Sequence, residues 1–162
     1  MGVVLGPTIG GFYQFIATVM QPPSYFVPAS SPQVTYAFNF ALQWVNTDLA
    51  NVPGLQGAWT IYAQAVYNLA ADTLIAWQPD GAEDPIYKDN QQYWAWLRTK
   101  YNVLAFVPGI VQSTSDEGTS SSYLLPRGYE GYTIAEIQNT KTPYGRNYLG
   151  IAQSYGTLWD IT

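Results

Sequence analysis

No charged side chain occurs in this chain before Asp48, and Asp48 and Asp72 are the only two before Asp80. That gap constrains the fold more than any motif does. A helix on the surface of a soluble monomer usually carries charged and polar residues on its outer face. Here those positions hold Gln, Asn, Thr, Tyr and Trp. Interface cores are depleted in Lys, Glu and Asp and enriched in aromatic residues. Aromatic residues make up 16% of the chain and charged residues only 10%. The first half therefore reads as helices shaped to lie within a protein assembly. At 162 residues, 48% of them hydrophobic, the chain can bury a core as one domain without cross-links.

Composition also removes whole classes of chemistry. There is no His and no Cys. A Ser-His-Asp triad, a Cys nucleophile, a His/Cys zinc site and a disulfide framework are all excluded. No catalytic residue, cofactor or metal site is expected, and the chain is not expected to be an enzyme. Six basic residues against eleven acidic ones give a net charge of −5 and a pI of about 4.3, which leaves no basic patch for sequence-specific nucleic-acid readout. The uncharged stretch from Val3 to Met20 is interrupted by Gly6-Pro7 and Gly10-Gly11 and diluted by Thr8, Gln14 and Thr18. A membrane span needs about 20 predominantly apolar residues, so no membrane partner is expected. No positive segment of a secretory signal precedes the stretch. With no Cys in the chain, a cytosolic or virion protein fits.

The periodicity predicts a mainly α protein, a bundle of four to five helices. The first helix spans about residues 9–21, with Phe12, Phe15, Ile16 and Val19 inward, and stops at Pro22-Pro23. The second starts at Ser31-Pro32, with Ser31 as N-cap, and runs to about Asn51. It carries two apolar stripes, Val34, Phe38, Ala41, Val45 and Leu49, and Tyr36, Phe40 and Trp44. Two stripes predict burial nearly all round, one against the chain's own core and one against a neighbour. The third helix, about 57–78, also reads as buried on most sides, with Trp77 in a core stripe. The fourth, about 87–106, has Trp94, Leu97, Tyr101 and Leu104 as its seam and Lys88, Asp89, Arg98 and Lys100 on its wet side. A Ser/Thr-rich β-hairpin is expected over about 109–125, turning at Asp116-Glu117-Gly118. It should project from the bundle unless a neighbour pairs with it. A short helix over 133–139 and another from Thr142-Pro143 to Gln153 complete a single domain, 1–156. Residues 157–162 read as a C-terminal arm whose Leu158, Trp159 and Ile161 suit docking on another surface.

Several residue groups invite a chemical reading. Asp80, Glu83, Asp84 and Asp89 lie close in sequence and could ligate calcium or serve as an acid/base pair, but their spacing is not that of a calcium loop. A solvated turn capping the fourth helix accounts for them, since acids are favourable at a helix N-terminus. Asp72 sits in the most apolar helix, where a general acid of raised pKa is one reading, and a structural partner for Arg98, Lys100, a Tyr hydroxyl or a backbone group is the favoured one. The aromatic residues fall on helical stripes, which points to core and interface before a stacking platform for sugars or bases.

Three local patterns resemble a known family. They are Leu69-Ala70-Ala71-Asp72-Thr73-Leu74 in the third helix, the Ser-rich segment from Gly109 to Tyr123, and Thr140-Lys141-Thr142-Pro143-Tyr144-Gly145-Arg146-Asn147-Tyr148-Leu149. Together they resemble the head-to-tail adaptor, or neck connector, proteins of tailed bacteriophages, over roughly residues 57–156. Members often carry His where this chain has Asp72. The resemblance implies a structural virion protein, assembled in the host cytoplasm. It would form a homo-oligomeric ring, expected as a dodecamer, under the portal protein. Such a ring receives the tail or a stopper protein and extends the channel through which DNA passes without sequence-specific contact. On this reading the partner-binding residues are Leu158, Trp159 and Ile161 in the arm, Tyr36, Phe40 and Trp44 on the second helix, Asp116 and Glu117 in the hairpin, and Tyr144 in the last helix. A negative channel wall would keep DNA from sticking. The alternatives are another virion component, such as a tail terminator or minor capsid protein, and, further off, a glycan-binding module using Asp80 and Glu83.

Overall fold

The computed structural model describes residues 6–22, 31–52, 60–78, 93–104, 110–114, 121–124 and 134–155. Among them the protein is mainly helical, with α1 (Ile9–Phe15), α2 (Pro32–Trp44), α3 (Ile61–Trp77), α4 (Tyr93–Lys100), α5 (Ile134–Asn139) and α6 (Pro143–Ser154). Two short strands, β1 (Ile110–Thr114) and β2 (Ser121–Leu124), pair antiparallel from Ile110 opposite Leu124 to Thr114 opposite Ser121. The register is irregular between Val111 and Ser113. None of the described helices is long and apolar enough to cross a membrane.

α3 is the centre of the bundle. Every residue from Tyr62 to Ile75 except Gln64 is buried, and α1, α2, α4 and α6 all reach it. Its start is fixed by Thr60, whose hydroxyl accepts from the Ala63 amide at 3.1 Å. Five alanines in α3 let neighbouring helices approach its backbone. α1 is tied down by the Tyr67 hydroxyl, which accepts from the Thr8 amide at 3.1 Å. Stacked Phe12, Phe38 and Tyr67 rings then join α1, α2 and α3.

α1 does not continue as a regular helix to residue 21. Ile16–Met20 forms a π turn in which the Gln21 amide donates to the Ile16 carbonyl at 2.9 Å. Gln21 closes it in the left-handed conformation. The wider turn rotates Val19 outward, where it is exposed, and puts Met20 in the core instead. α2 is likewise shorter than its apolar pattern. It ends at Trp44, Val45 is extended, and the chain re-enters a 3₁₀ turn over Thr47–Asn51, capped by the Asn46 side chain. The inner stripe Val34, Phe38, Ala41, Val45 and Leu49 is nonetheless buried throughout. Ser31 precedes Pro32 at the head of α2, but its hydroxyl donates to Gln33 Oε1 and caps no backbone amide.

Two expectations for α4 are corrected. Asn102 adopts a left-handed φ of 53°, which ends the helix and swings Leu104 out of the seam to 79% exposure. Arg98 is not on a wet face. It is buried, and its guanidinium Nη1 donates to the carbonyls of Ile75 at 3.1 Å and Gln78 at 2.8 Å. It thereby satisfies acceptors that the end of α3 leaves open.

Candidate partner-binding face

The second apolar stripe of α2 is not covered by the chain's own core. Val34, Ala37, Phe38 and Ala41 are buried on the face of α2 toward the core. Tyr36, Phe40 and Trp44 follow one another at four-residue spacing, which places them on one ridge of the helix. Tyr36 is 53% exposed and Trp44 60%, while Phe40 is half-buried. The last residue of α3, Trp77, joins them. It was expected in a core stripe, but it lies beyond the buried run that ends at Ile75 and is 54% exposed.

The Trp77 ring lies 5.2 Å from that of Tyr36 and 5.6 Å from that of Phe40, and Phe40 lies 5.5 Å from Trp44. Four rings from two helices thus form one continuous apolar surface. Contacts of this kind contribute about 0.5–1.5 kcal/mol each beyond the area they bury, so the rings hold one another in place before any partner arrives. A single exposed aromatic residue needs no explanation, whereas a contiguous patch does. α2 carries no Asp, Glu, Lys or Arg. A partner covering this ridge therefore desolvates no carboxylate, ammonium or guanidinium of α2.

A second cluster joins α3 to α6. Thr142, the N-cap of α6, accepts from the Gly145 amide at 2.9 Å, and its hydroxyl donates to Oδ1 of Asp72. Asp72 is 8% exposed. Burial raises its carboxyl to about 6, partly opposed by the hydrogen bond from Thr142. A turn away, Asn147 Nδ2 donates to Asn68 Oδ1 at 3.4 Å. The Thr142-Pro143 helix start was legible in the sequence. Asp72 was expected to pair with Arg98, Lys100, a Tyr hydroxyl or a backbone group, and its partner is instead the hydroxyl of Thr142, 70 residues away.

Tyr144 serves the packing of the bundle. Its half-buried ring meets Phe15 edge-on at 6.3 Å. Burial first, and the Tyr101 phenol second, raise its phenol above the usual range. Leu158, Trp159, Ile161, Asp116 and Glu117 lie outside the described residues, as do Asp80, Glu83, Asp84 and Asp89. Among the described residues no group of three or more Asp or Glu side chains comes together to hold a metal ion. The residue that sequence reasoning missed at the face is Trp77. Its position at the helix end, immediately before Gln78-Pro79, was the available signal.

Compared with protein-family models, curated proteins and solved structures, the chain matches none.

Proposed function

We propose that this chain is a structural component of a tailed-bacteriophage virion, a head-to-tail adaptor that assembles with copies of itself into a ring between the portal and the tail or stopper protein. The observation that carries the reading is the exposed, uncharged patch of Tyr36, Phe40, Trp44 and Trp77. Such a surface suits burial against protein, and the sequence resemblance supplies the kind of assembly. In this reading the helical bundle carries an inserted Ser/Thr-rich β-hairpin over about 109–125 and a C-terminal arm over 157–162. Leu158, Trp159 and Ile161 of the arm seat on the portal, and the hairpin with Asp116 and Glu117 contacts a neighbour. The acidic balance of the chain suits a channel that DNA passes through without adhering.

The test is to mix the purified protein with the portal of the same particle and image the mixture by cryo-EM, with Trp44→Ala alongside. The expected result is a ring seated on one portal face with the aromatic patch covered. Trp44→Ala should weaken assembly by about 2 kcal/mol, the size of an interface hot spot. Its melting temperature should fall by only a few degrees, because the ring it removes is mostly exposed and gives up one ring contact, that with Phe40. A protein that stays monomeric beside the portal overturns the adaptor reading. Normal assembly of Trp44→Ala removes the patch from it.

A further inference from the structure

The aromatic face is accounted for above, but the buried carboxyl at the contact of α3 and α6 is not. Three features meet there. Asp72 is nearly sealed from water on the most buried of the described helices. Among the described residues its side-chain hydrogen bond is with a single hydroxyl, that of Thr142. That hydroxyl is also the N-cap of α6, accepting from the Gly145 amide. An ionised carboxylate can accept at about four lone-pair sites and is far more costly to bury with few partners than a neutral carboxyl or amide.

We propose that α6 is seated on α3 by a proton-responsive clasp, in which Asp72 closes on the Thr142 cap, so that α6 is held most firmly when the carboxyl is protonated and is loosened when it ionises. The charged groups on the elements packed against α3 and α6 are Asp48 in the 3₁₀ turn after α2, Arg98 and Lys100 on α4, Glu136 on α5, Lys141 in the following turn and Arg146 on α6, and α6 adds the phenols of Tyr144 and Tyr148. Arg98 donates to the Ile75 and Gln78 carbonyls, Lys141 to the Val103 carbonyl, and Arg146 to the Thr140 and Lys141 carbonyls. Tyr148 is raised to about 12 by burial and, second, by Glu136, so it stays neutral across the range considered. At Asp72 itself burial outweighs the stabilising hydrogen bond, and its carboxyl is raised to about 6 from 3.8. A carboxyl raised on folding contributes stability that is fully present below its unfolded value, near 4, and is lost as the pH rises through about 6.

The proposal stands apart from the adaptor reading and is tested on the isolated full chain. Hydrogen exchange of the α6 amides is followed between pH 5.0 and pH 7.5, corrected for intrinsic exchange rates, with α2 as the internal reference. This range stays above the pI of about 4.3. The opening equilibrium of α6 should rise about tenfold from pH 5.0 to pH 7.5, with a midpoint near 6. Asp72→Asn keeps an acceptor for Thr142 without a charge. It should hold α6 at its acid-side protection throughout. In parallel, the Asp72 carboxyl is titrated by ¹³C NMR in the unaltered protein, which decides the matter even if the variant folds poorly. Coincident midpoints support the clasp. A flat α6 profile, a midpoint well away from that of the carboxyl, or an unchanged pH dependence in a folded Asp72→Asn overturns it.

Discussion

At the scale of single residues, the closeness of α5, α6 and α3 rests on the absence of one side chain. A Cβ on Gly145 would collide with the Asn139 carbonyl oxygen and come within 2.9 Å of Asp72 Oδ1. The first is the carbonyl of the last residue of α5 and the second is the acceptor of the Thr142 cap hydroxyl, so the added atom would push α6 away from both. Gly→Ala inside a helix ordinarily gains up to about 1 kcal/mol, and at Gly150, where nothing lies within 4 Å of the added atom, that gain is expected. At Gly145 the sign reverses. Gly145→Ala should lose about 1–3 kcal/mol through overpacking, and thermal unfolding should show a fall of about 2–4 °C for each kcal/mol lost. The sequence showed Pro143 and Gly145 after a Thr, enough to place a helix start. It did not show that the glycine was there to admit a carbonyl from the preceding helix, because that contact depends on how tightly α5 turns into α6.

At the scale of elements, legibility followed the caps. Thr8, Thr60 and Thr142 each accept from the amide three residues on, and the three helices they open were anticipated to within a few residues. Helix ends were less legible. α2 was carried to Asn51 because Val45 and Leu49 keep its inward period, yet the chain changes conformation at Val45 and reaches the same face through a 3₁₀ turn. In the first helix, Phe12, Ile16 and Met20 are spaced as in a regular helix, so residue spacing could not reveal a widened turn. Arg98 was misplaced for a different reason. Charge in an amphipathic pattern points to solvent, and only the open carbonyls at the end of α3 give it a reason to be inside. Arg98→Met preserves much of the apolar stem but removes both hydrogen bonds, and leaves the Ile75 and Gln78 carbonyls without them. A loss of about 1.5–3 kcal/mol is expected, the range for hydrogen bonds to a charged group. Urea unfolding would show it as a lower midpoint with an unchanged slope.

At the scale of the whole molecule, the uneven placement of charge is matched by an uneven surface. The aromatic ridge lies on α2, which has no ionic group, and on the last residue of α3. The mainly helical class and the outward stripe of α2 were both legible, the first from periodicity and the second from a stripe the core could not also use. Trp77 was not legible as part of the face, because the crossing of α2 and α3 brings it there. Association through this ridge should be governed by apolar burial. Its dissociation constant should therefore change less than about threefold between 0.05 and 0.5 M NaCl, since screening acts on charges the ridge does not contain. A fall in affinity of more than tenfold on adding salt would assign the contact to the acidic remainder of the chain. The turn at Ile16–Met20 bears on ancestry as well as on packing. Its hydrogen bond closes on the fifth residue, one more than a regular turn needs, and Phe12, Ile16 and Met20 still point inward. Loss of one codon there would close the widened turn to a regular one. The same event in α3 would rotate all that follows by about 100° and turn a sealed core to water. A shortening by one residue should thus be borne at the π turn and not in α3.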